Sequence, residues 1–110
     1  MAVRSVVEGR VELELPEDPR LDRLKGPQRA GGGAVFYNPA ARTSRDLPIV
    51  ILRALTAPAR GWRVLDGLCG SGVRGLRVLK EVDAVAEVVL NDGDPAAAQL
   101  AEQQAARVGD

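Results

Sequence analysis

Apolar residues alternate with glutamates from Val11 to Leu15, the period-two pattern of a half-buried strand. Gly9 suits a turn before this stretch, and Pro16 ends it. Residues 17–33 are charged, lack periodicity and finish in a glycine run. We therefore predict a strand followed by a flexible arm.

In the rest of the chain, the spacing of apolar residues alternates between the helical period and the strand pattern. Asp46 suits the N-cap of a helix over about 47–57, and Pro48 falls in its first turn, where a missing N–H costs nothing. Further patterns predict a strand at 63–66, a helix at 71–82, a strand at 87–91 and a helix at 95–107 capped by Asp94. This order is typical of an α/β fold with parallel neighbouring strands and a right-handed crossover.

Composition limits the chain to one domain and narrows its chemistry. The chain has 110 residues, 45% of them hydrophobic, enough for one core. A single cysteine, Cys69, excludes an internal disulfide and a Cys-cluster zinc site, and the absence of histidine removes the usual general base. No apolar run approaches the ~20 residues of a membrane span, and no secretory pattern is present, so we expect a cytoplasmic protein.

Charge is unevenly distributed although the formal net charge is zero. Residues 1–63 hold eleven Lys/Arg against seven Asp/Glu, and residues 64–110 hold four against eight. A basic front half is compatible with a surface that faces nucleic acid, and a solvated surface explains the imbalance equally well.

A glycine-rich loop joins the strand at 63–66 to the following helix. Gly70 and Gly72 have no side chains to keep a ligand from the backbone, and the helix N-terminus supplies free N–H groups. About twenty residues later the next strand ends at Asp92, whose carboxylate can accept both hydroxyls of a ribose. The combination of strand, loop, helix and acidic strand end predicts a site for an adenosine-bearing cofactor.

The same loop matches the G-x-G-x-x-G pattern of dinucleotide-binding folds, so NAD or FAD is the rival ligand. Asp66, four residues before Gly70, argues against a pyrophosphate because two negative groups would face each other. A carboxylate attracts the positive charge of a sulfonium, so Asp66 favours S-adenosyl-L-methionine over NAD or FAD as the ligand. Cys69 has no partner that would make it a nucleophile, and we expect it to be a small buried filler.

Four segments narrow the family: VFYNP at 35–39, RDL at 45–47, DGLCGSGVRGLR at 66–77 and LND at 90–92. In order and spacing they resemble the archaeal and eukaryotic tRNA (guanine-26-N2)-dimethyltransferases. The resemblance covers about residues 35–95, and Glu8-Gly9 extends it toward the start.

The resemblance implies a Rossmann-like class I methyltransferase fold, incomplete here: the first two strands and flanking helices with an N-terminal strand and loop extension. Residues 1–46 would be that extension, with its basic arm, and 47–110 the front half of the S-adenosylmethionine-binding domain. The implied reaction moves methyl groups from S-adenosyl-L-methionine to the exocyclic N2 of a guanine in tRNA.

The resemblance also implies individual contacts. Arg45, Arg74 and Asp92 would contact the cofactor, and Phe36 would lie near the target guanine. Both arginines stand near the start of a predicted helix, where a cation is disfavoured, so a ligand carboxylate gives each of them a reason to be there. Ser44 departs from the family, which usually has Asn before this arginine.

The sequence offers no catalytic residue and no metal site. In methyltransferases of this type an Asp-Pro-Phe-Gly-like segment after the fourth strand meets the amine, and no such segment follows the cofactor loop here. We therefore expect a fragment of a longer enzyme, completed in cis or, alternatively, by a partner chain. Two other functions stay open: a class I methyltransferase acting on a small molecule or another RNA, and a non-catalytic cofactor-binding or RNA-binding module.

Overall fold

The structure is a computed structural model that describes residues 3–16, 37 and 39–108. Phe36 and the arm at 17–33 lie outside these residues. The chain begins with an antiparallel hairpin of β1 (Val3–Glu8) and β2 (Val11–Pro16). The sequence predicted β2 and missed β1, since the apolar residues of β1 do not alternate and the strand is stabilised by pairing with β2.

Helix α1 (Arg42–Thr56) follows a 3₁₀ turn and starts five residues before the predicted position. The interpretation of Asp46 as its N-cap was wrong: the residue at the cap is Ala41, and Pro48 lies inside the helix. The carboxylate of Asp46 instead pairs with Arg77 at 2.5 Å. This contact between two helices overrides the local start signal.

The other elements confirm the predicted order. They are β3 (Trp62–Asp66), α2 (Val73–Glu81), β4 (Val85–Leu90) and α3 (Pro95–Val108). Strands β3 and β4 are parallel and adjacent, with Val64 opposite Val88. Asp94 caps α3, because its Oδ1 accepts the backbone N–H of Ala96 at 3.0 Å.

The hairpin shares a core with helices α2 and α3. Six buried side chains from these three elements form one cluster: Val11, Leu13, Leu15, Val73, Leu76 and Leu100. Gln104, 2% exposed, fastens α3 to β2 by donating to the carbonyl of Glu14 at 2.6 Å and accepting its N–H at 2.9 Å. The hydrophobic core thus contains residues from both sides of residue 46. The division of the chain at that residue into an N-terminal extension and a cofactor-binding domain stays a prediction.

Strand β3 has a partner on one side only among the residues that the structure describes. Leu65 on this strand is 68% exposed, and Leu68 just beyond it is 89% exposed. Among all the residues that the structure describes, no helix has the length and apolar character needed to cross a bilayer.

Candidate functional site

The glycine loop occupies the carboxyl ends of β3 and β4, where backbone hydrogen bonds hold it. The N–H of Asn91 donates to the carbonyl of Asp66 at 2.9 Å, and the N–H of Cys69 donates to the carbonyl of Asn91 at 2.9 Å. The side-chain amide of Asn91 also donates to the Gly67 carbonyl at 3.2 Å. These bonds continue the parallel pairing into the loop. Cys69 is buried, as expected.

Three glycines shape the loop and the helix after it. Gly70 and Gly72 have φ values of 53° and 86°, a left-handed conformation that side-chain-bearing residues rarely adopt. A Cβ on Gly75 would overlap the Leu90 side chain, so this glycine lets α2 pack closely on β4. Each glycine therefore has a structural reason that is independent of a ligand.

Asp92 lies directly across from the loop, as predicted. Its Oδ2 accepts the backbone N–H of Gly70 at 2.9 Å, and its Oδ1 accepts the N–H of Asp94 at 2.9 Å. These two amide donors lower the pKa of Asp92. The side chain is partly exposed, and a carboxylate has about four acceptor positions, so it can still accept hydrogen bonds from a ligand.

Asp66 is half-buried beneath the loop. Its Oδ2 accepts the backbone N–H of Gly75 at 3.1 Å. Burial raises the pKa of Asp66, although the Gly75 amide and the charge of Arg74 act in the opposite direction. Arg74 is exposed in the first turn of α2, and within the described residues it has no ion-pair partner.

Arg45 makes a different set of contacts, in a buried ion pair with Glu8. Its Nε donates to both carboxylate oxygens at 3.0 and 2.9 Å, and its Nη2 donates to Oε1 at 2.6 Å. The ring of Tyr37 lies 4.8 Å from the guanidinium carbon and its hydroxyl donates to Glu8 at 2.8 Å. The predicted contact between Arg45 and a cofactor stays a prediction.

Arg77 extends this pair into a buried charge cluster, which we define as Glu8, Arg45, Asp46, Arg77 and Glu81. Arg77 donates to Glu8 at 3.1 Å and, through Nε, to Glu81 at 2.7 Å. Burial alone would raise the pKa of Glu8, but hydrogen bonds from Arg45, Tyr37 and Arg77 outweigh it and lower the pKa. The cluster joins the hairpin, α1 and α2.

The sequence interpretation missed this cluster. Glu8-Gly9 entered only as an extension of the family resemblance, and Arg77 only as one letter of a motif. Two signals were available: Arg77 and Glu81 have the i, i+4 spacing of a helical ion pair, and Gly9 stands next to Glu8. A Cβ on Gly9 would overlap the Glu81 carboxylate, so this glycine allows the hairpin turn to lie on the cluster.

The residues named from the sequence therefore fall into three groups. Asp66, Gly70, Gly72, Arg74 and Asp92 come together at the carboxyl ends of β3 and β4. Arg45 belongs to the buried charge cluster, and Phe36 lies outside the described residues. Among the residues that are described, no group of three or more His, Cys, Asp or Glu side chains is placed to hold a metal ion.

Comparison with known proteins places these features in one family. A sequence model described as N2,N2-dimethylguanosine tRNA methyltransferase matches residues 25–107. A tRNA (guanine(26)-N(2))-dimethyltransferase of Pyrobaculum neutrophilum is 41% identical over 96 residues, which is 84% of this chain and 24% of the relative. The enzyme of the same name from Metallosphaera sedula is 32% identical over 100 residues, 91% of this chain and 25% of the relative.

A solved structure gives the same result. The complex of Trm1 from Pyrococcus horikoshii with S-adenosyl-L-methionine is 30% identical and superposes with a TM-score of 0.74, over 97% of this chain and 24% of that chain. This likeness confirms the α/β, partial Rossmann-like fold. The chain spans about a quarter of the length of the relatives it matches.

Proposed function

The chain belongs to the N2,N2-dimethylguanosine tRNA methyltransferase family, and we propose that it forms the S-adenosyl-L-methionine-binding part of an enzyme that methylates the exocyclic N2 of a guanine in tRNA. The observation that carries this proposal is the hydrogen bond of 2.9 Å between Asp92 and the Gly70 amide. It sets an acidic strand end against a glycine loop at the edge where α/β folds bind nucleotides.

The side chains around the loop fit this cofactor. Asp92 supplies acceptors for the two ribose hydroxyls, and the exposed Arg74 supplies a cation for the methionine carboxylate. Asp66 holds the start of α2 through Gly75 and provides negative charge near the loop. When bound, the cofactor supplies a methyl group on a positively charged sulfur.

Arg45 is proposed as a second contact for the methionine carboxylate, on the strength of the family resemblance. The planar guanidinium fork matches the geometry of a carboxylate, which suits Arg45 to this role. The bidentate pair with Glu8 would then fix the orientation of Arg45 before the cofactor arrives. In this role Glu8 positions Arg45 and does not touch the ligand.

The substrate side of the proposal rests on the basic front half and on the names of the relatives. We propose that the protein binds tRNA in the cytoplasm, that the target is guanine 26, and that Phe36 lies near that base. No residue of this chain is assigned as the acceptor of the guanine proton.

Isothermal calorimetry with S-adenosylhomocysteine tests the proposal. We expect binding at one site, and no competition from NAD. Binding of NAD in preference to S-adenosylhomocysteine would overturn the methyltransferase function and favour the dinucleotide alternative. A small-molecule methyltransferase would bind the same cofactor and would show no affinity for tRNA.

A further inference from the structure

A crevice of about 310 Å³ opens at the end of the sheet opposite the glycine loop. Its walls are the hairpin turn, the last turn of α1, residues 57–60 and the turn between α2 and β4. These segments precede β3 and β4, whereas the glycine loop follows β3. The crevice is therefore separate from the proposed cofactor site.

Three arginines line this crevice: Arg10, Arg53 and Arg60. All three are exposed, and none of them forms an ion pair with any residue in the described ranges. Of the two acidic residues in the lining, Glu81 is bound by Arg77 through both carboxylate oxygens at 2.7 and 3.1 Å. The lining therefore carries three arginines against two carboxylates, one of which is already hydrogen-bonded to Arg77.

The fold orders the side chain of one of these arginines and fixes the backbone of another. The Nε of Arg53 donates to the backbone carbonyl of Glu81 at 2.7 Å, which ties this side chain to the end of α2. The backbone of Arg10 lies beside Glu81, because its N–H donates to Oε2 of Glu81 at 3.5 Å and Gly9 has no side chain to keep the turn away. The guanidinium group of Arg53, ordered in this way, loses less entropy when it binds an anion.

We propose that the crevice binds the phosphodiester backbone of the tRNA, an inference that rests on the proposed function. Unpaired guanidinium groups around a concave surface suit phosphate, which accepts bidentate hydrogen bonds. Strand β3 has five residues and at a rise of about 3.3 Å each it places the crevice roughly 17 Å from the glycine loop. An RNA arm carries phosphates every few ångströms, so one molecule can reach both places.

The test measures the affinity of the full chain for a tRNA transcript by fluorescence anisotropy over a series of salt concentrations. The crevice variant replaces its three arginines with Gln. A control variant removes the same amount of charge elsewhere on the surface by replacing Arg4, Arg42 and Arg107 with Gln. A third variant carries Lys at the three crevice positions and keeps their charge. Circular dichroism and size-exclusion chromatography establish that each variant is folded.

We expect the crevice variant to lose affinity by on the order of tenfold or more, and the slope of log K against log salt to fall by about 2. The control variant should lose much less, and the Lys variant should keep most of the affinity. Equal losses in the crevice and control variants would overturn the proposal, as would wild-type affinity in the crevice variant. If the crevice variant does not fold, the single change Arg60→Gln takes its place, and an unchanged salt slope would then overturn it.

Two further measurements separate this inference from the proposed function. S-adenosylhomocysteine should bind the crevice variant and the wild-type chain equally, since the two sites are at opposite ends of the sheet. Loss of tRNA binding with unchanged cofactor binding supports the crevice. Failure of the wild-type chain to bind tRNA while it binds S-adenosylhomocysteine would overturn the crevice and leave the cofactor site intact. Calorimetric binding of inorganic phosphate, with tRNA affinity unaffected by the crevice substitutions, would indicate a site for free phosphate and also overturn it.

Discussion

The carboxylate of Asp92 accepts the backbone N–H of Gly70 across the gap between β4 and the glycine loop, at 2.9 Å. The same carboxylate accepts the N–H of Asp94, two residues further along its own segment. One side chain therefore joins the end of a strand, the glycine loop and the start of α3. A change at Asp92 is expected to affect both the shape of the loop and the binding of a ligand.

Asp92→Asn should weaken S-adenosylhomocysteine binding by on the order of tenfold or more, because it removes the negative charge and one of the two acceptor oxygens. Isothermal calorimetry measures this loss. Glu102→Gln, which removes a charge at an exposed position of α3, is the control and should bind like the wild type. Equal affinities for all three proteins would exclude Asp92 from the cofactor site.

Gly72→Ala should destabilise the loop by about 1–2 kcal/mol, since the residue must adopt a positive φ. Its φ is 86°, and the new Cβ would lie 3.2 Å from the Leu90 side chain. Gly67→Ala is the matched control in the same loop, because a Cβ there meets nothing within 4 Å. Urea denaturation of the two variants should give a clearly lower midpoint for Gly72→Ala; identical midpoints would contradict the loop geometry.

Glu8→Gln should lower the free energy of unfolding by about 3–5 kcal/mol, because it leaves Arg45 and Arg77 buried without their shared carboxylate. Glu8 is 1% exposed, so solvent cannot replace it. Glu12→Gln changes an exposed glutamate of the same hairpin and should have little effect. Chemical denaturation compares the two, and a small loss at Glu8 would show that the cluster contributes little to folding.

Stability should also fall steeply in acid. The pKa values of Glu8 and Glu81 are lowered from the ordinary 4.5, and that of Asp92 is lowered from 3.8. A carboxylate with a lowered pKa stabilises the fold above its ordinary pKa, and this contribution disappears as the pH falls through the lowered value. Thermal melting between pH 7 and pH 3 should show this loss, with a weaker pH dependence in Glu8→Gln. A melting temperature independent of pH would contradict the ion-pair geometry.

The exposed side of β3 should make the 110-residue chain self-associate, since an unpaired strand edge with apolar side chains is a template for further pairing. Leu65 lies on this strand and is 68% exposed. Leu65→Lys should therefore shift the chain toward monomer in size-exclusion chromatography with light scattering. Val50→Lys, at a comparably exposed apolar site on helix α1 and away from any strand edge, is the control; a wild-type chain that is already a monodisperse monomer would contradict the prediction.

The local sequence pattern determined the elements around the candidate cofactor site. Strands β3 and β4, helices α2 and α3 and the cap at Asp94 were all predicted, because each is specified by hydrophobic period and by turn or capping residues within a short window. The expectation that Gly70, Gly72 and Asp92 lie at one place came from the same kind of pattern, a loop and a strand end at a known spacing, and their role in binding stays a prediction. The family segments added the expected enzyme class.

Only the tertiary structure shows which side-chain contacts join these elements. Glu8 contacts Arg45 and Arg77, which are 37 and 69 residues away in the chain, and no local pattern records such a pairing. In the same cluster Asp46 pairs with Arg77 and does not cap helix α1. Strand β1 is likewise stabilised by its pairing with β2. Burial of opposite charges can outweigh local propensity because unpaired charges are costly once water is excluded, and that cost exists only where the fold brings distant residues together.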